Sequence, residues 1–151
     1  MTDITRKIQI AFVGDPGVGK TSIIMRIQQQ DFQEDLSHSC GCTFNNIYLK
    51  FNHDNSTETI EITNCDIVWD GKDRKDNFLD KVFQDSSAFA IVFDPSNVLF
   101  DNEDLENWLN PIKKKAPDRI IALVRNKSDL TANRKFNEDS LKKLANNYEA
   151  I

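Results

Sequence analysis

Ile8-Gln9-Ile10-Ala11-Phe12-Val13-Gly14-Asp15-Pro16-Gly17-Val18-Gly19-Lys20-Thr21-Ser22 is the stretch on which the reading of the whole chain turns. Residues 8–13 form a short apolar run that stops abruptly at Gly14, the pattern of a buried strand. From Gly14 the order is glycine, four residues, glycine, lysine, threonine, which matches G-x-x-x-x-G-K-[ST]. Gly19 onward reads as a helix, with Ile23, Ile24 and Ile27 on one face. Strand, glycine loop and helix are together the context in which this motif cradles nucleotide phosphates. Gly14, Gly17 and Gly19 let the backbone curl so that successive N–H groups point at phosphate oxygens, and the helix N-terminus adds its positive dipole end. Lys20 brings a full charge to the β- and γ-phosphates, as a catalytic as well as a binding group, and the Thr21 hydroxyl is a hard oxygen ligand for Mg²⁺. Asp15, Pro16, Val18 and Ser22 complete the candidate phosphate site, in which Pro16 removes one N–H and slightly perturbs the cradle.

Working outward, two more continuous apolar runs, Ala88 to Phe93 and Arg119 to Val124, read as buried strands. Phe44 to Phe51 and Thr57 to Trp69 read as an antiparallel hairpin around a His53–Ser56 turn, with Asp54, Asn55 and Ser56 supplying the turn chemistry. Helices are expected through Phe78, Val82 and Phe83, over Asn102 to Lys115, and over Asn137 to Tyr148; Pro111 should kink or end the second of these. Alternating strands and helices in a 151-residue chain predict one α/β domain, a doubly wound sheet with helices on both faces.

Composition is that of an ordinary globular protein, with 39% apolar and 28% charged residues. A formal net charge of -5 argues against nucleic acid as the partner, since phosphate-backbone binding needs clustered Lys and Arg. No apolar run approaches the roughly 20 residues of a membrane span. Three cysteines, Cys40, Cys42 and Cys65, are an odd number behind a polar N-terminus, which reads as free thiols in a reducing cytosol. A zinc site from His38, Cys40, Cys42 and His53 is an alternative weakened by its C-x-C spacing.

Asn126-Lys127-Ser128-Asp129 follows the last apolar run, at a carboxyl end where such sheets bind ligands. A carboxylate at Asp129 can accept from both guanine N1–H and the exocyclic amino group. Adenine would leave that carboxylate unpaired, so the geometry discriminates strongly between the bases. The segment matches the N-K-x-D motif of Ras-superfamily GTPases, and the resemblance extends from about Lys7 to Leu144. Ser39-Cys40-Gly41-Cys42-Thr43-Phe44 resembles the Rab switch I sequence T-I-G-V-D-F, Trp69-Asp70 the W-D after the third strand, and Trp108-Leu109 the W-L of the helix before the base-reading strand. The chain is thus similar to Rab-like small GTPases. The resemblance implies GTP or GDP with Mg²⁺ as cofactors, Phe32 edge-on to guanine, Lys127 packed over the base, Asn126 tying its loop to the phosphate loop, and Thr21, Ser39 and Asp70 around the metal. It also implies effector and regulator proteins bound through Ser39–Phe44 and Trp69–Phe83, and a cytoplasmic place, including the cytosolic face of endomembranes, in vesicle traffic.

Two departures qualify the resemblance. Counting from Asp70, the family's T-A-G-Q-E is replaced by Gly71-Lys72-Asp73-Arg74-Lys75, so Asp73 stands where glycine contacts the γ-phosphate and Arg74 where glutamine orients water. Beyond Asn147 there is no last strand, guanine-covering loop or final helix, and no prenylation cysteine at Ala150-Ile151, so a membrane anchor would have to come from a tail outside this sequence or from a partner. The sheet should therefore have an open edge and a weakened base pocket. Two readings stand side by side: a slowly hydrolysing GTPase switch, and a GTP-binding scaffold that does not hydrolyse.

Overall fold

The computed structural model describes residues 2–29, 41–53, 56–68, 77–97, 100–130 and 137–151. The strands are β1 (Thr2–Val13), β2 (Gly41–His53), β3 (Ser56–Val68), β4 (Ala88–Phe93) and β5 (Ile120–Arg125), and the helices α1 (Lys20–Ile27), α2 (Asn77–Asp85), α3 (Asn102–Lys115) and α4 (Glu138–Tyr148). They form one five-stranded sheet in the order β2-β3-β1-β4-β5. Only the β2–β3 pairing is antiparallel; β1 runs parallel to both β3 and β4, and β4 to β5. The expected doubly wound α/β architecture is therefore present.

Alternation along the central strands separates two cores. Ala11, Val13, Phe89, Ile91 and Phe93 pack with α2, α3 and α4 through Val82, Phe83, Leu105, Leu109, Ile112 and Leu144. Phe12, Ala90 and Val92 point the other way, against Val18 and Ile24 of the phosphate loop and α1. A period of two carries successive side chains to opposite faces, so β1 and β4 are apolar on both. That is why they read as unbroken apolar runs.

The structure departs from the sequence reading in four places. β1 begins at Thr2 instead of Ile8, because β3 pairs with it along its whole length, Thr2 opposite Ser56 through Phe12 opposite Asp66. The helix over 102–115 does not end at Pro111. A proline inside a helix costs roughly 3 kcal/mol. Leu109 and Ile112, both fully buried on either side of it, each contribute about 1.5–3 kcal/mol and hold the last turn in place. The open edge is partly used: Ile151 donates its N–H to the Ile121 carbonyl at 2.9 Å and accepts from the Leu123 N–H at 2.7 Å, one rung of further pairing outside β5.

The fourth difference is chemical. Cys42 and Cys65 are joined as a disulfide, with Cα atoms 6.3 Å apart. The register places Cys42 opposite Ile67 and Phe44 opposite Cys65, so the bond runs diagonally across the hairpin on one sheet face. The expectation of free thiols fails for this pair, and the alternative zinc site loses Cys42 as a ligand; His38 and Cys40 lie outside the described residues. Among the described residues no helix is long and apolar enough to cross a membrane. Thiol titration of protein unfolded without reductant should find one reactive thiol per chain, rising to three after reduction. Three thiols without reductant would show that the cross-strand bond does not form in solution.

Candidate nucleotide site

The loop between β1 and α1 takes the form its glycines permit. Gly14 has φ +139°, and a side chain there would place Cβ 2.1 Å from the Val92 carbonyl oxygen of β4. Gly19 has φ +97°, and its Cβ would fall 2.2 Å from the Asn126 side-chain nitrogen. Both positions are closed to other residues by conformation and by space. The loop therefore sits directly on β4 and on the segment after β5.

Lys20 is buried at the start of α1, and its Nζ donates to the Gly14 and Asp15 carbonyl oxygens, 2.9 Å each. Burial pulls its pKa below the ordinary lysine value, against the raising influence of the Asp66 and Asp15 carboxylates. The Asp15 side chain in turn accepts from the Trp108 indole N–H of α3 at 3.3 Å, so α3 braces the loop from the side. Pro16 and Gly17 are exposed at its tip, Val18 is buried beneath it, and Ser22 is half-buried one residue into α1 from Thr21.

The Thr21 hydroxyl donates to Asp66 Oδ2. Asp66 lies near the end of β3, is 4% exposed, and leaves its Oδ1 buried without a partner among the described residues. A buried carboxylate oxygen with nothing to accept from is costly. Beside a hydroxyl and a lysine ammonium, this donor set fits a hard divalent cation held through oxygen and water. Among the described residues no group of three or more His, Cys, Asp or Glu side chains is gathered to hold a metal.

The base-reading segment closes the site on the far side of β4. The Asn126 N–H donates to the Phe93 carbonyl at 2.9 Å, and its side-chain amide donates to the Val18 carbonyl at 2.8 Å. The tie between Asn126 and the phosphate loop, expected from the sequence, is thus made. Lys127 has φ +52°, a left-handed conformation uncommon outside glycine, and its carbonyl accepts from Leu130 N–H in the turn that presents Asp129, which is exposed. Lys127 Nζ meets Asp94 Oδ2 at 2.9 Å.

Of the residues named from sequence, Gly14 to Ser22 and Asn126, Lys127 and Asp129 come together at the carboxyl edge of β1, β4 and β5. Phe32, Ser39, Asp70 and Arg74 lie outside the described residues. Sequence reasoning missed two carboxylates. Asp66 has one sequence signal: Ile60, Ile62, Asn64 and Asp66 alternate along one strand face that turns polar at its carboxyl end, where open sheets bind ligands. Asp94, directly after the apolar run of β4, belongs to no sequence motif.

Comparison with known proteins gives the family. A family model described as the Ras of Complex, Roc, domain of DAPkinase matches residues 9–129. The chain is 28% identical over 153 residues to mouse Ras-related protein Rab-22A, covering 97% of this chain and 72% of that protein. It is 28% identical over 156 residues to human Ras-related protein Rab-31, with the same coverage.

Replacing Asp66 with Ala should weaken GDP binding at least tenfold in millimolar Mg²⁺ and change it little in EDTA, measured by calorimetric titration. Equal losses under both conditions would separate Asp66 from the metal.

Proposed function

We propose that this chain, which belongs to the Rab-like Ras-superfamily GTPase domains, binds GTP and GDP with Mg²⁺ at the site built from Gly14–Ser22 and Asn126–Asp129 and hydrolyses GTP slowly. A GTP-binding switch is the general function of the family, and family members act through effector and regulator proteins. The observation that carries the reading is the Asn126–Val18 hydrogen bond, which holds the base-reading segment against the phosphate loop as one surface.

Each residue then has a chemical part. The backbone N–H groups of Gly14 to Lys20, Pro16 excepted, face the phosphates, and Lys20 exchanges its two carbonyl partners for phosphate oxygens. Thr21, with Asp66 behind it, would hold Mg²⁺, which when bound neutralises charge on the β- and γ-phosphates. Asp129 reads the guanine edge. Phe32 and Ser39 lie outside the described residues, and the family resemblance alone assigns them, Phe32 to the base and Ser39 to the metal.

The Thr21–Asp66 contact also bears on hydrolysis. Counted from Asp66, the family's D-T-A-G-Q falls on Asp66-Ile67-Val68-Trp69-Asp70; counted from Asp70, it falls on Asp70-Gly71-Lys72-Asp73-Arg74. The two counts give different residues and one chemistry. Neither supplies the glutamine that orients water or the glycine that approaches the γ-phosphate. An aspartate near that phosphate adds charge repulsion in a partly desolvated site. The missing glutamine favours, as a second reading, a GTP-bound scaffold with negligible turnover. Either form would work on cytosolic membrane surfaces in vesicle traffic, through Ser39–Phe44 and Trp69–Phe83. Phe44, 51% exposed on the edge strand β2, is available for such contact.

Titration should show guanine nucleotides bound far more tightly than ATP, and Lys20→Ala should abolish binding. Asp129→Asn should shift preference toward xanthine nucleotides, whose C2 carbonyl accepts the new amide donor. Equal affinities for ATP and GTP would refute the base assignment.

Single-turnover hydrolysis should be slower than in a relative carrying the glutamine. Trp69→Gly with Asp70→Gln should raise the rate more than Asp73→Gly with Arg74→Gln, because the first pair is counted from the carboxylate that meets Thr21. The reverse order would restore Asp70 as the metal-side carboxylate.

A further inference from the structure

Asp94 ends β4 and Lys127 follows β5, on neighbouring parallel strands. Both carboxylate oxygens of Asp94 are used. Oδ1 accepts from the Ser96 N–H at 2.9 Å and from the Ser96 hydroxyl at 2.5 Å, while Oδ2 pairs with Lys127 Nζ at 2.9 Å. The Asp94 side chain is 12% exposed and that of Lys127 35%, so the pair is partly withdrawn from water, where an ion pair is screened less than at the surface. Burial alone would push the Asp94 carboxyl up, but the Ser96 hydroxyl, the Lys127 ammonium and the Ser96 N–H together hold it below the ordinary aspartate range. It is therefore ionised at neutral pH.

The backbone beneath this contact is held in an uncommon form. Lys127 has φ +52°, and the Asn126 bonds to Phe93 and Val18 fix the residue before it. A strained residue persists where its surroundings over-determine it. With its backbone fixed by Asn126 and its ammonium by Asp94, the lysine is held at both ends, and its four methylenes span from the end of β5 to the end of β4.

We propose that Asp94 is a positioning residue for the base pocket, anchoring the Lys127 ammonium so that the methylene stem lies extended across the guanine ring. This rests on the guanine-nucleotide reading given above and adds to it a residue outside both sequence motifs. An unanchored lysine must lose its rotamer freedom when the base binds, a loss on the order of a tenfold change in affinity. Asp94 removes that loss in advance, as preorganisation does generally. The sign of the effect is diagnostic. Nucleotide is anionic, so deleting a nearby carboxylate should slow release if charge alone mattered; loss of an anchor should speed it.

The test is dissociation of fluorescent N-methylanthraniloyl-GDP from the full chain, chased with excess GDP, for the wild type, Asp94→Asn, Lys127→Met and the double variant. Asparagine keeps an oxygen for Ser96 while removing the charge, and methionine keeps an apolar stem without the ammonium. Each single change should raise the dissociation rate about tenfold, and the double should be no faster than the singles, because both remove one contact. Melting of the nucleotide-free proteins should move much less than the release rates. Release from Asp94→Asn at or below the wild-type rate, or a double variant at the product of the two single effects, would overturn the inference. Should Asp94→Asn fail to fold, wild-type release from Lys127→Met overturns it equally. Wild type that retains no guanine nucleotide would instead overturn the underlying reading, and this inference with it.

Discussion

The side-chain amide of Asn126 donates to the carbonyl of Val18 across 108 residues of sequence, and the geometry of the site depends on that bond. It can form only because Gly19 has no Cβ, since one would lie 2.2 Å from the same nitrogen. Gly14 meets the same demand from below, where the loop rests on the Val92 carbonyl. The phosphate loop is thus pressed between β4 and the segment that follows β5, and two motifs far apart in the chain become one surface. Rigid strands carry both, which is the arrangement that holds a binding geometry most accurately.

Charge is the second constraint. Lys20 is buried, and a buried ammonium must find oxygen. Here it takes two loop carbonyls, with Asp66 and Asp15 near enough to favour its charged form. Lys127 is paired with Asp94 in the same way on the base side. An acidic protein of net charge -5 can therefore present positive charge to an anionic ligand, because two lysines are concentrated at one edge of the sheet. Asp66 Oδ1 is the complementary feature, a buried acceptor beside the Thr21 hydroxyl with no partner among the described residues.

Several sequence-based expectations gave way to packing. Proline is a reliable helix breaker where solvent is the alternative, but in α3 the turns on both sides of Pro111 bury Leu109 and Ile112, and the helix continues. An odd cysteine count behind a polar N-terminus suggested free thiols, and nothing in a spacing of 23 residues shows that a hairpin brings two sulfur atoms together. The open sheet edge is used by Ile151, whose pairing with Ile121 and Leu123 is a long-range backbone event without a sequence signature.

The sequence by itself determined the α/β class, the strand–loop–helix at Gly14–Ser22, the Asn126–Asp129 motif after the last strand and the hairpin. Each of these is written in local order: an apolar run, a glycine spacing, a turn composition. Only the tertiary structure shows which carboxylates stand beside these segments among the described residues. The register of β3 on β1, which sets Asp66 opposite Phe12, brings Asp66 to Thr21. Asp94 likewise gains its meaning from the parallel pairing of β4 with β5, which lays a strand-ending aspartate beside a lysine 33 residues later. Register is a sum of contacts over whole strands, and that sum does not exist until the chain has folded.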